Sequence, residues 1–330
     1  MSNVFIVSRK PELMKELHVS SIVFLLIVAL GLFHVRCLAE SEAITVTDDL
    51  GRRVTLKRVP ERIVAGVPFA VEMLYALGHP PVARPEIESA YVRPEPALKL
   101  PAVTVSHGTG PNLEQVAVAN ADLMILSPTF ARFAANAQQT LGLPVLIYDI
   151  RSIHDVPRIY RQMGQWMNAS AKAEELATEL EVQLSRLQIK ESTGLRVMAI
   201  FGAGESFFAF LPDSYLGSMV SALGGELVTQ GVSPMRRGSS MGLFSMEYVV
   251  AQNPDVILIA RHAPADGSSV LSPAEALAGN PAWAGIKAVI EKRVYLISEW
   301  DYVSSPGPTV IDAITHLREI LYPEATLGSH

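Results

Sequence analysis

A segment in the first half of the chain is echoed in the second. Asn112-Leu113-Glu114-Gln115-Val116 runs through Asn120 and Asp122 into the apolar stretch LMIL, and Ser245-Met246-Glu247-Tyr248-Val249 runs through Asn253 and Asp255 into VILI. Glu, Val, Asn and Asp recur at identical offsets. Each copy reads as a capped helix with Glu in its first turn, a short Asn-containing loop, then a buried strand. Asn and Ser are favoured helix N-caps, and the helix dipole favours a carboxylate just behind them. A weak repeat of this kind points to two similar lobes. Related by a pseudo-two-fold, the lobes display Glu114 and Glu247 at equivalent, well-separated surface positions. That arrangement suits docking on a dimeric partner with two basic sites, because charge complementarity sets orientation and encounter rate.

The rest of the chain fits the same plan. Short apolar runs alternate with helical patterns, which predicts an α/β fold with largely parallel sheets. The expected strands are 62–65, 81–83, 102–104, 122–126 and 145–148 in the first half, and 196–201, 226–228, 255–259 and 294–297 in the second. Between them, Ala171 to Gln188 carries Ala173, Leu176, Ala177, Leu180, Leu184 and Leu187 at helical spacing, with Ser170 as the expected N-cap. At 1.5 Å per residue this is a rod of about 27 Å, one small domain across. The expected architecture is two Rossmann-like lobes, 40–169 and 191–330, joined by a single long helix over 170–190, with a ligand cleft between the lobes. Gly194 releases the chain into the second lobe.

Residues Ile22–Phe33 are uninterruptedly apolar. That run is shorter than the about 20 residues a membrane-spanning helix needs, and it fits the apolar region of a signal peptide. Small residues at Cys37 and Ala39 predict cleavage after Ala39, making 1–39 a signal peptide, and Met14 begins a more ordinary version of it. The mature protein is then expected in the periplasm. Cys37 is the only cysteine, and Arg36 beside it fits poorly with lipid attachment. Without it the mature chain has no disulfide, thiolate nucleophile or thiolate metal site. The formal net charge of −6 excludes a nucleic-acid binder, which needs a basic footprint.

In its motifs and their order the chain resembles the substrate-binding proteins of ABC importers for ferric siderophores, haem and cobalamin. Val46–Leu56 (VTDDLGRRVTL) and Val59–Gly66 (VPERIVAG) are similar to the family's opening hairpin and first strand, and Val71–Gly78 to its first helix. PNLEQV with NADLMIL, and FSMEYVV with NPDVILI, resemble its two glutamate-bearing segments; SSPGPTVIDAITHLREILYP resembles the closing helix. The resemblance implies two lobes on one long helix, small motion between them and a ligand in the cleft. It also implies a monomer that docks, through Glu114 and Glu247, on arginines of two membrane subunits.

Ligands of open α/β sheets bind beyond the carboxyl ends of the strands. By position, the first lobe offers Tyr91, His107, Ser127, Phe130 and Arg132, with Phe69 and Arg93 nearby. The second offers Phe207, Arg236, Arg237, Met241 and Trp300, with Phe208 and Glu299. Tyr91, Phe207 and Trp300 match places where family members often carry aromatic contacts. Ser127 and Met241 stand where cobalamin binders of the family more typically carry Trp, which argues against cobalamin. The polar loop Gly231–Gly242 carries the adjacent arginines, suited to carboxylates and other oxyanions. An anionic ligand follows: a ferric siderophore first, then haem, with His107 as an axial ligand, then an oxyanion such as molybdate. The dispersed histidines contain no metal-ligating pair, and no cofactor of its own is expected. No catalytic residue is expected either: Gly204-Glu205-Ser206-Phe207-Phe208 has only the first half of a nucleophile elbow, and no Walker loop is present.

Overall fold

The expected hairpin is Ile44–Thr47 paired antiparallel with Arg53–Leu56. Its turn is organised by Asp48, which is 4% exposed. The Asp48 carboxylate accepts the backbone N–H of Leu50 and Arg52 and both Nε and Nη2 of the Arg52 guanidinium, the last at 2.6 Å. It also accepts Ile147 N–H at 3.2 Å, which fastens the hairpin to the first-lobe sheet. The computed structural model describes residues 43–203, 206–236, 238–261, 281–304 and 306–323. The predicted signal peptide with Cys37, the dipeptide Gly204-Glu205 and Arg237 lie outside the described residues.

In the first lobe Ile63–Ala65, Leu123–Leu126 and Val145–Ile147 run parallel, with Leu123–Leu126 in the middle. A parallel bridge from Val64 to Ala83 carries the sheet toward the pair Arg84–Pro85 and Ala102–Val103. Every residue of the three longer strands is buried, as continuous apolar runs covered on both faces must be.

The second lobe has the order Met241–Gly242, Ser206–Phe210, Arg196–Ala203, Val256–Arg261, Val294–Ser298, with Glu226–Leu227 beside the start of Arg196–Ala203. Four of these strands are parallel and match expectation. Ser206–Phe210 and Met241–Gly242 are antiparallel additions. The strand Arg196–Ala203 continues past Phe201, and the chain pairs back with Phe208 opposite Phe201. The segment bearing Phe207 and Phe208, where no strand was expected, is therefore half of a hairpin.

The connecting helix spans Ser170–Leu187. Ser170 is its first helical residue and not its cap. The preceding helix, Asp155–Trp166, ends so close that Asn168 turns in the left-handed region and the Ser170 hydroxyl donates to Gly164 O. The two helices touch at Gly164: a Cβ there would lie 2.3 Å from Ala173 Cβ. Ala173, Ala177 and Leu184 are buried, while Leu176, Leu180 and Leu187 pack beside them partly exposed. Arg161 reaches across from the preceding helix to Glu174 at 2.8 Å and Glu181 at 2.5 Å.

Leu146 and Tyr148 of the first lobe share one apolar core with Val197, Leu216 and Ile314 of the second and with the helical face of Ala173 and Ala177. From Ile44 onward the chain consequently forms one compact unit. The lobes are joined by packing as well as by a rod. Gly194, at φ 72°, releases the chain into the second sheet. Among the described residues no helix is long and apolar enough to cross a membrane.

Candidate functional site

The two glutamate-bearing units have the same local construction. Asn112 caps Leu113–Val118 by accepting the N–H of Glu114 and Gln115, and Ser245 caps Met246–Gln252 by accepting that of Tyr248. Glu114 and Glu247 stand exposed one step into these helices. The backbone N–H of Glu247 and then the Ser245 hydroxyl hold the Glu247 carboxyl below the ordinary range. Each helix is followed by an asparagine in the left-handed region, Asn120 at φ 50° and Asn253 at φ 41°. Asn tolerates that conformation better than most residues, which is why it recurs in both copies.

The repeated aspartates lock each helix to the first strand of its lobe. Asp122 accepts the N–H of Arg62 at 2.9 Å, and Asp255 that of Arg196 at 2.9 Å. Each arginine then reaches back to the helix end, Arg62 to the carbonyls of Ala119 and Asn120 and Arg196 to that of Gln252. Burial opposes ionisation of Asp255, but the Lys287 ammonium at 2.7 Å and the Arg196 N–H outweigh it, and its carboxyl sits below the ordinary range. The sequence reading missed these arginines. Their signal was present: each stands directly before an apolar strand run, as RIVA and RVMA.

The other set of candidates lies beyond the carboxyl ends of the parallel strands. The turn Ser89–Tyr91 presents Tyr91, and the π-helical turn Trp300–Ser304 presents Trp300. Their rings stack, with centroids 4.7 Å apart and planes 16° from parallel. Beside them Arg93 Nη1 lies 3.7 Å from Asp301 Oδ1. Tyr302, buried and donating its hydroxyl to Ala313 O, anchors the second-lobe turn. A second bridge lies elsewhere: Arg151 contacts Asp213 at 3.5 Å and donates to Gly238 O, while its Nε holds Asp149. Arg151 was not singled out from sequence, where an arginine after a strand carries no distinguishing signal.

His107, Phe130 and Arg132 come together on the first lobe. The His107 ring lies 5.4 Å from that of Phe130, Arg132 donates to the His107 carbonyl, and its guanidinium stands over Phe133. Ser127 starts the turn Pro128–Phe133. Phe207 packs edge-on against Trp283, with centroids 6.2 Å apart, and Met241 pairs with Phe210 in the sheet. Neither is brought to the Tyr91–Trp300 pair by a described contact. Arg236 is exposed on its loop. A shallow groove lined by Pro68, Glu72, Arg84, Ile87, Tyr91 and Arg93 adjoins the stack on the first-lobe side. Among the described residues no cluster of His, Cys, Asp or Glu could hold a metal ion.

The family model described as "Periplasmic binding protein" matches residues 63–299, from the first parallel strand to the residue before Trp300. The chain belongs to this periplasmic binding protein family. An uncharacterized ABC transporter substrate-binding lipoprotein of Bacillus subtilis (strain 168), YvrC, is 25% identical over 293 residues, covering 85% of this chain and 86% of its own length. The high-affinity heme uptake system protein IsdE of Staphylococcus aureus is 25% identical over 187 residues, which is 56% of this chain and 62% of IsdE. A solved ABC transporter substrate-binding protein from Listeria monocytogenes EGD-e superposes with a TM-score of 0.69 at 21% identity, covering 80% of this chain and 99% of that one. These relatives are transport proteins, not enzymes, and the match places the chain among the substrate-binding proteins of ABC importers.

Proposed function

We propose that this substrate-binding protein captures an anionic iron chelate, a ferric siderophore, outside the cytoplasm and delivers it to the paired membrane subunits of an ABC importer. The observation that carries the reading is the Tyr91–Trp300 pair with Arg93 beside it. Aromatic rings pack against flat conjugated surface, and a guanidinium donates hydrogen bonds to carboxylate or phenolate oxygen. Glu114 and Glu247, exposed in equivalent settings, serve as the docking carboxylates. Export rests on the Ile22–Phe33 segment with release at Ala39.

The test uses the protein's own tryptophans. Trp166 and Trp283 are buried, and Trp300 is partly exposed beside Tyr91. A ferric siderophore bound there quenches Trp300 emission, and Trp300→Phe removes most of that quenching. Absence of quenching across ferric catecholates and hydroxamates overturns the siderophore reading. Haem is the second reading, favoured by the exposed His107 ring beside Phe130 and by the similarity to IsdE. It requires hemin to bind with a Soret band that shifts in His107→Ala.

A further inference from the structure

Arg93 and Asp301 come from different lobes, each two residues or fewer from a member of the aromatic stack. Their closest atoms are 3.7 Å apart, and the side chains are 45% and 31% exposed. A water-exposed pair at that separation contributes only about 0–1 kcal/mol. A ligand carboxylate that approaches the guanidinium in its plane accepts two parallel charge-assisted hydrogen bonds, a stronger arrangement than the one it replaces. We infer that Asp301 competes with the ligand's anionic group for Arg93, so that the cleft carries its own displaceable counter-ion.

The surrounding turns favour this exchange. Tyr302 fixes the turn bearing Asp301 through its bond to Ala313 O, so Asp301 yields by turning its partly exposed side chain, without unfolding the turn. A neutral ligand gains nothing at Arg93 and leaves the pair closed. Asp301 thereby discriminates in favour of anionic ligands. Arg151 behaves differently, because Asp149, Asp213 and Gly238 O all hold its guanidinium. Counter-ion exchange is therefore concentrated at Arg93.

The inference rests on the stack being the ligand site, and the experiment separates the two. Hemin, iron(III) tris-catecholate and cyanocobalamin are titrated into wild type, Asp301→Asn, Arg93→Gln and the double variant. Asp301→Asn is expected to tighten binding of an anionic probe by about two- to fivefold, the equivalent of one weak ion pair, with no change for cyanocobalamin. In the Arg93→Gln background, Asp301→Asn has no further effect. Unchanged or weaker anion binding in Asp301→Asn, or an equal gain without Arg93, overturns the exchange. If neither anionic probe binds wild type or Asp301→Asn, the ligand reading itself has failed and the inference falls with it; binding that is unaffected by Asp301→Asn overturns the inference alone.

Discussion

Asp122 and Arg62 hold each other in both directions: the Asp122 carboxylate accepts the Arg62 N–H, and the Asp122 N–H donates to the Arg62 carbonyl, each at 2.9 Å. Asp255 and Arg196 repeat the exchange at 2.9 and 2.8 Å. In both lobes this joint ties the glutamate-bearing helix to the first strand, whose far end leads toward the cleft.

Removing the second joint is expected to cost more than removing the first. Asp255 is less exposed than Asp122, 17% against 26%, and it holds the Lys287 ammonium at 2.7 Å, where Asp122 accepts a second backbone N–H, that of Glu61 at 3.0 Å, and has Arg58 only at 3.7 Å. Asp255→Ala leaves the Arg196 backbone N–H without its acceptor, a loss of about 1–3 kcal/mol, while the half-exposed Lys287 ammonium turns to water. Urea unfolding should show a larger drop in midpoint for Asp255→Ala than for Asp122→Ala.

The same residue predicts an acid dependence. The Asp255 carboxyl is lowered below its ordinary value of 3.8 in the folded protein. A lowered folded value means that the unfolded chain takes up the proton first, so the contribution is present above the unfolded value and is lost as pH falls through the folded one. The stability gap between wild type and Asp255→Asn should be constant from pH 7 to about 5 and close below about pH 4. Urea midpoints across that range check it; a gap that widens in acid contradicts it.

Gly164 predicts a packing defect. A methyl group there meets Ala173 Cβ at 2.3 Å and the Ala169 carbonyl at 3.2 Å, so the helices Asp155–Trp166 and Ser170–Leu187 must separate. Gly164→Ala is expected to destabilise by about 1–3 kcal/mol despite the better helix propensity of Ala. Thermal melting decides it, and a rise in Tm would mean that the helices yield at no cost.

Docking through the matched carboxylates has its own signature. Glu114→Ala with Glu247→Ala should leave ligand affinity unchanged, since both side chains are exposed on their helices and away from the Tyr91–Trp300 stack in sequence and contact. Uptake of labelled iron chelate by whole cells should fall at least about tenfold, as loss of two charge pairs at an interface implies. Normal uptake by the double variant removes the docking role.

Local patterns carried most of the fold. The parallel strands, the hairpin over Val46–Leu56 and the helix over 170–187 follow from period, burial and turn chemistry, each decided within a few neighbouring residues. The repeat was visible because capping and left-handed turns constrain particular residue types, Asn112 and Ser245 at the caps, Asn120 and Asn253 beyond. The antiparallel strand Ser206–Phe210 was not legible. Its aromatic residues suit a loop wall and a strand equally, and only pairing with Phe201 and Gly202 distinguishes the two.

The stack between Tyr91 and Trp300 belongs to the part that tertiary structure decided. Sequence position brought both residues to the ends of strands, and resemblance suggested aromatic contacts there. That they face each other across the lobes, with Arg93 and Asp301 beside them, depends on how the shared core around Tyr148, Leu216 and Ile314 sets one sheet against the other. Periodicity specifies which face of an element is buried. It carries no information on the distance between two loops that lie more than two hundred positions apart, and that distance is set by the packed core.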